Sequence, residues 1–195
     1  MVIGLTGGIA SGKSTAAKLL GEWGAYVIDA DKLGHRAYVA GSKAFEQVVA
    51  TFGQDVVGED GEIDRAKLGA KVFGPEARLD ELTAIVWPAI HDMAAEEIAT
   101  AQRQGKTAVL EAAVLIEAGW QDLVDEIWVV IVDKETAIQR ATERDGLSRE
   151  AVEERIAAQL SNQERQDHAH RVIDNSNELA DMELQLKQLW QEHGA

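Results

Sequence analysis

Near its start the chain carries Gly7-Gly8-Ile9-Ala10-Ser11-Gly12-Lys13-Ser14, a G-x-x-x-x-G-K-[ST] pattern, and continues into Thr15. Residue types at this spacing suit one task, which is wrapping a polyphosphate in successive backbone N–H groups. Gly7, Gly8 and Gly12 have no side chain to hold the anion off the backbone. Lys13 stands where an ammonium bridges the β- and γ-phosphates, and Ser14 stands where a hydroxyl ligates Mg²⁺. A helix starting here turns the positive end of its dipole toward the same anion. The residues predicted to hold the nucleotide are therefore Gly8, Ile9, Ala10, Ser11, Gly12, Lys13, Ser14 and Thr15.

Carboxylates and cations elsewhere supply candidates for the rest of a phosphoryl-transfer site. Asp29 and Asp31 follow the apolar stretch Ala25 to Ile28, and residues two apart in extended chain project to the same side. Both face the space above the phosphate loop if that strand runs parallel to the first. The competing reading makes Asp31 the N-cap of a helix beginning near Lys32 and Asp29 a strand-end turn residue. Glu111 closes another apolar strand, Thr107 to Glu111, at a position where P-loop enzymes hold an acid near Mg²⁺. Glu117 opens the turn Glu117-Ala118-Gly119-Trp120, either lining a substrate cleft or capping a helix.

Arg140 and Arg144 are four apart on a helix starting near Lys134, so both guanidinium groups emerge on one face. Either they form part of a lid that neutralises charge on the moving phosphoryl group, or they pair at the surface with Glu143 and Asp145. His35, Arg36, Arg65 and Lys67 are either phosphate contacts or solvated surface, with Arg36 foremost for its nearness to Asp31. His168 and His170 are two apart, which does not put them on one helix face, and the chain has no cysteine. No metal site is read there.

The elements that must position these groups follow from periodicity. Val2 to Leu5, Ala25 to Ile28, Thr107 to Glu111, Ile127 to Val132 and Arg171 to Asn175 read as five short strands, and the fourth is unbroken and β-branched, as in a buried parallel strand. Ala16 to Trp23 reads as the first helix. Between about 32 and 104 no strand is evident, which is too long for one crossover and predicts a helical insertion. Its helices are punctuated by Gly41-Ser42, Gly53, Gly58 to Gly61 and Gly74-Pro75, with Pro75 as a first helical residue and Trp87-Pro88 as a further break. Ile90, Met93, Ala94, Glu97, Ile98 and Ala101 then mark one helical face. Gly146 stops the arginine-bearing helix, Ser148 caps the next, and Ser161 with Glu164 forms a capping box that opens a short helix containing Arg165. Leu179, Met182, Leu186, Leu189 and Trp190 form the stripe of a last helix. The predicted fold is α/β, a five-stranded parallel sheet with helices on both faces, comprising a core of 1–31 and 105–195, an insertion of 32–104 and a lid of about 140–168.

Composition bounds the function. At 195 residues, 46% hydrophobic and 27% charged, the chain suits one substantial core with a small subdomain. A net charge of −15 argues against nucleic acid as a partner, because such binding needs a basic surface that releases counterions. It also means that the loop, its lysine, Mg²⁺ and a few arginines must overcome a repulsive field at close range. No apolar run approaches the ~20 residues of a membrane span. A cytoplasmic protein is expected, and Met1 directly before the first strand favours a free-standing enzyme.

With these pieces in place the chain resembles the dephospho-CoA kinase family, P-loop kinases of the nucleoside-monophosphate-kinase type. The resemblance rests on GLTGGIASGKST at 4–15, VIDADKLGHR at 27–36, ERDGLSREAVEERIAAQLS at 143–161 and VIDNS at 172–176, and it spans nearly the whole length. Many bacterial members have His-Pro where this chain has Trp87-Pro88, and Pro-Leu-Leu near Ala113-Val114-Leu115. The stretch EAAVLIEAGWQ at 111–121 is closer to the kinase domain of animal bifunctional CoA synthase, and Asn177 replaces a common glycine.

The resemblance implies ATP-dependent phosphorylation of the ribose 3'-hydroxyl of dephospho-CoA, giving CoA and ADP. By that resemblance Asp31 orients and deprotonates the hydroxyl, Gly8 to Thr15 hold ATP, and Ser14 holds Mg²⁺ with phosphates and water. Arg140 and Arg144 become lid cations, Asn175 lies near the adenine, and Arg36, Glu111 and Glu117 serve the acceptor side. The partners are then small molecules, with no membrane and no nucleic acid, for a monomer or small homo-oligomer. Two other readings stay open at this point: a kinase for another small alcohol on the same scaffold, and a nucleotide-binding regulatory module that transfers nothing.

Overall fold

The computed structural model describes residues 1–74 and 77–193. Contacts divide the chain into two compact units, Met1–Asp29 with Glu97–Ala195, and Ala30–Glu96.

The first unit is a five-stranded, wholly parallel sheet. Its strands are β1 (Val2–Gly7), β2 (Tyr26–Asp29), β3 (Ala108–Glu111), β4 (Glu126–Ile131) and β5 (Arg171–Asp174), in the spatial order β2-β3-β1-β4-β5. Every residue of β1 and of β3 is buried, as expected of central strands covered by helices on both faces. The register sets Leu5 of β1 opposite Glu111 of β3 and Trp128 of β4, and Asp29 of β2 opposite Glu111. The carboxyl ends of β1, β2 and β3 thus form one edge, and in such sheets the ligand edge is the carboxyl one.

Helix α1 (Lys13–Glu22) follows β1 after the phosphate loop, and α9 (Leu179–Glu192) follows β5. Ala16, Ala17 and Leu20 of α1 and Met182, Leu186 and Trp190 of α9 close one core with Ile3, Leu5, Val109, Trp128, Val130 and Ile173. Helices α6 (Lys134–Asp145), α7 (Arg149–Ala157) and α8 (Asn162–Asp167) connect β4 to β5. The stops and caps read from the sequence hold here. Gly146 ends α6 with φ 66°, the Ser148 side chain accepts from Ala151 N, and Ser161 with Glu164 makes the full capping box. Ile138, Ala141 and Val152 join α6 to α7 in a small core that Ile9 and Ala10 of the loop pack against.

The second unit holds α2 (Ala30–Ala37), α3 (Lys43–Phe52), α4 (Arg65–Val72) and α5 (Leu79–Arg103) as far as Glu96. Val48, Phe52, Val56, Ile63, Leu68 and Val72 form its core. Among the described residues of 32–104 there is no strand, only an isolated antiparallel bridge between Val57 and Ile63. Pro75, expected as a first helical residue, lies outside the described residues.

The break expected at Trp87-Pro88 does not occur. Helix α5 runs through Pro88 for 25 residues. A proline there removes one N–H bond and crowds the carbonyl four residues back, at a cost of about 3 kcal/mol. Burial of Val86, Ile90, Ala94, Ile98 and Ala101 along one stripe of the helix offsets it. The N-cap that the competing reading assigns to Asp31 is absent. Helix α2 begins at Ala30, directly after β2, so Asp31 lies inside the first turn, where its charge faces the positive end of the helix dipole.

Candidate active site

The loop between β1 and α1 is shaped by two residues in the left-handed region, Ala10 with φ 54° and Gly12 with φ 94°. For alanine that conformation costs about 1 kcal/mol or more, and it turns successive N–H groups inward, as anion-binding loops do. Gly12 also has no room for a side chain, because a Cβ there would run into the Asn175 amide. That amide donates to Ser11 O at 2.8 Å, fixing the loop from the β5 side, and Asn175 is buried. No side chain caps α1, so its first N–H groups have neither an intrahelical acceptor nor a capping one. Together with the dipole, this makes the helix start an anion site.

Lys13 and Ser14, the first two residues of α1, converge on one carboxylate oxygen. Glu111 Oε1 lies 2.6 Å from Lys13 Nζ and 2.6 Å from Ser14 Oγ. Lys13 and Glu111 are both buried, so neither charge is dispersed by water. Glu111 is the last residue of β3, and the pairing of β3 with β1 is what brings its side chain beneath the loop. The oxygens of Ser14 and Glu111 form a hard donor set suited to Mg²⁺.

Arg140 and Arg144 border a cavity of about 520 Å³ together with Ala10, Gly12, Thr15, Glu143, Asn175 and Leu179. This is within the size of nucleotide-scale pockets, roughly 300–1,000 Å³. The two arginines are engaged differently. Arg140 donates to the carbonyls of Asn175 at 2.9 Å and Asn177 at 3.3 Å, tying α6 to the segment after β5. Arg144 makes a two-pronged contact with Asp145 at 2.7 and 2.8 Å, the surface pairing anticipated as the alternative to a lid. That contact raises the Arg144 guanidinium and lowers the Asp145 carboxyl relative to their ordinary values.

Of the remaining candidates, Asp31 and Arg36 lie on α2 in the second unit, in its first and last turns. Glu117 is in the first unit and caps no helix. Its Oε1 stands 3.5 Å from Nη2 of Arg165, which is 2% exposed. His170 accepts the Ile127 N–H through Nδ1 at 3.0 Å.

Two residues at the loop escaped the sequence reading as site candidates. Gln159, between α7 and α8, accepts the Ile9 N–H at 3.0 Å. Arg165 stands against Gly8, with Nη1 3.5 Å from where a Cβ on that glycine would lie. Nothing local marked Gln159, and the capping box around Arg165 spoke only of a helix start.

Comparison with known proteins is consistent along the whole chain. The sequence profile of the dephospho-CoA kinase family matches residues 1–181. A dephospho-CoA kinase of Geobacter sulfurreducens is 46% identical over 190 residues, covering 97% of this chain and 96% of the relative. The structure of a dephospho-CoA kinase from Campylobacter jejuni superposes with a TM-score of 0.75 at 27% identity, covering 98% of this chain and 96% of the other. A shikimate kinase from Acinetobacter baumannii has a TM-score of 0.52 at 17% identity over 99% of this chain and 93% of its own, a likeness of fold alone. From its phosphate loop to its last strand, this chain belongs to the dephospho-CoA kinase family.

Proposed function

We propose that this protein carries out its family's reaction with the residues assembled above: transfer of the γ-phosphoryl group of ATP to the ribose 3'-hydroxyl of dephospho-CoA, giving CoA and ADP. The observation that carries the assignment is the convergence of Lys13 and Ser14 on Glu111 at the uncapped start of α1. Phosphoryl transfer of this kind asks mainly for positioning and charge neutralisation, and these side chains supply both.

Gly8 to Thr15 hold the phosphates through backbone N–H groups, and Lys13 exchanges Glu111 for the β- and γ-phosphates. Ser14 would ligate Mg²⁺, with Glu111 oriented toward the ion's water shell. Such an ion, held by Ser14 beside Glu111, would supply charge neutralisation for the phosphoryl group in transfer. Asn175 and the cavity beside Arg140 and Arg144 receive the adenosine, with Arg140 shaping the wall and Arg144 available when its exposed contact with Asp145 opens. Asp31 orients the 3'-hydroxyl and takes its proton, Arg36 meets an acceptor phosphate, and Glu117 serves the acceptor side. Both substrates are drawn from the cytoplasm.

The test is a coupled measurement of ADP release and of product mass with Mg-ATP, with and without dephospho-CoA. Equal amounts of CoA and ADP are expected. ADP formed only with a different alcohol would overturn the substrate, and nucleotide binding without transfer to any acceptor would overturn the kinase assignment.

A further inference from the structure

Arg165 is among the most deeply buried side chains of the first unit, yet its guanidinium is incompletely bonded. Nη1 donates to the Leu160 carbonyl, whereas Nε and Nη2 have no hydrogen-bond partner among the described residues. Glu117 faces Nη2 at 3.5 Å in an ion pair lacking hydrogen-bond geometry, and Glu117 Oε2 is likewise buried and unbonded. Buried polar atoms are nearly always satisfied, and a desolvated charge without its hydrogen bonds is costly. Burial also draws the Arg165 guanidinium below its ordinary value, against the pull of Glu117 and Glu164. An ion pair left open in this way is built for something that completes it.

The position of the pair says what that is. Arg165, Gln159, Gly8, Ile9 and Lys134 line a second cavity of about 190 Å³ at the early half of the phosphate loop. The larger cavity borders the later half, at Ala10, Gly12 and Thr15. With adenosine in the larger cavity, the polyphosphate runs along the loop away from it, toward Ile9 and Gly8, so its terminal group arrives beside Arg165. A phosphoryl group presents several oxygens to a planar donor fork, the geometry that guanidinium matches and ammonium does not.

We propose that Arg165 contacts the terminal phosphoryl group of ATP, its guanidinium anchored by the Leu160 carbonyl while the phosphoryl oxygens compete with the Glu117 carboxylate for it, and thereby sets a preference for triphosphate over diphosphate. The inference rests on the ATP-dependent kinase reading and deepens it.

The experiment is calorimetric titration of wild type, Arg165→Lys and Glu117→Gln with Mg-ATP and with Mg-ADP, without acceptor, with a thermal melt of each protein. Arg165→Lys, if folded, decides. Loss of about tenfold or more in ATP affinity with ADP held within about twofold is expected. Parallel loss of both nucleotides would mean that Arg165 only braces the loop, and an unchanged ratio would mean that buried water completes the pair; either overturns the proposal. If Arg165→Lys does not fold, Glu117→Gln decides. Removing the competing carboxylate charge is expected to raise the ATP-to-ADP affinity ratio by about threefold or more, and an unchanged or reduced ratio overturns the proposal. Wild type that bound neither nucleotide would sink the kinase reading itself, a result distinct from all of these.

Discussion

Lys13 Nζ and Glu111 Oε1 stand 2.6 Å apart with both side chains about 10% exposed, joining the first residue of α1 to the last residue of β3. The same oxygen takes the Ser14 hydroxyl. One carboxylate oxygen therefore holds an ammonium and a hydroxyl together at the start of α1, and in the function proposed above it gives way to phosphate when the nucleotide arrives.

Glu111→Gln leaves a buried ammonium without its counter-charge. Breaking such a pair costs about 3–5 kcal/mol, so urea unfolding of the nucleotide-free protein is expected to shift down by an amount of that order. Retention of wild-type stability would mean that the pair is solvated and that the geometry above is not its usual state.

Asp31→Asn removes the proton acceptor assigned to the transfer step and leaves the nucleotide loop intact. Turnover is expected to fall by about 10²–10⁴-fold, the usual contribution of a general base, with ATP affinity within about twofold of wild type. Full turnover would return Asp31 to a helix-dipole role in the first turn of α2.

Gly12→Ala places a methyl group at φ 94° and against the Asn175 amide. The expected result is loss of measurable nucleotide binding together with destabilisation of at least about 1–2 kcal/mol. Asn175→Ala tested with it should recover part of the stability, since the group struck by the methyl is gone, and no recovery would show that backbone strain alone is responsible.

His193 and Glu126 form a pH-dependent clamp at the opposite end of β4 from the site. His193 Nε2 lies 3.1 Å from Glu126 Oε2, which also accepts from Trp128 Nε1 at 2.8 Å. The hydrogen bond to the Leu189 carbonyl raises the imidazole; burial opposes this, and Glu126 adds to the rise. Burial alone would raise the Glu126 carboxyl, but Trp128, His193 and Arg171 together bring it below its ordinary value. The imidazole contribution is complete below the unfolded histidine pKa of about 6.5 and fades as pH rises through the higher folded value. The carboxylate contribution is complete above the unfolded glutamate value of about 4.3 and fades as pH falls through the lower folded value. His193→Gln is therefore expected to cost most stability near pH 5–6, about 1–2 kcal/mol, and clearly less by pH 9. A cost that stayed flat across this range in thermal melts would refute the clamp.

Pro88→Ala restores an N–H to an exposed position inside a continuous helix. A gain of about 1–3 kcal/mol is expected in urea unfolding, and a loss would show that the proline ring is packed.

What the sequence makes legible depends on what local chemistry encodes. Gly7 to Ser14 were legible as a phosphate loop because such a loop is contiguous, its glycines, lysine and hydroxyl set by neighbouring backbone. Ser148, Ser161 and Gly146 were legible as caps and stops for the same reason, since capping is settled within one turn. Local rules misled where longer-range packing outweighed them. Pro88 reads as a breaker, yet the buried stripe on both sides of it keeps α5 whole.

By itself, then, the sequence determined the strand-loop-helix unit of a phosphate-binding loop and the α/β class, because periodicity and spacing are written in consecutive residues, and its motifs carried the resemblance to the family. The tertiary structure alone decided which distant side chains meet that loop. Glu111 reaches Lys13 across 98 positions, Gln159 reaches Ile9 across 150, and Asn175 reaches Ser11 across 164. A period of two or of 3.6 residues tells a side chain which face to occupy but not its opposite number. That choice is made by the order β2-β3-β1-β4-β5 and by the parallel register within it, which exist only once the crossovers have folded.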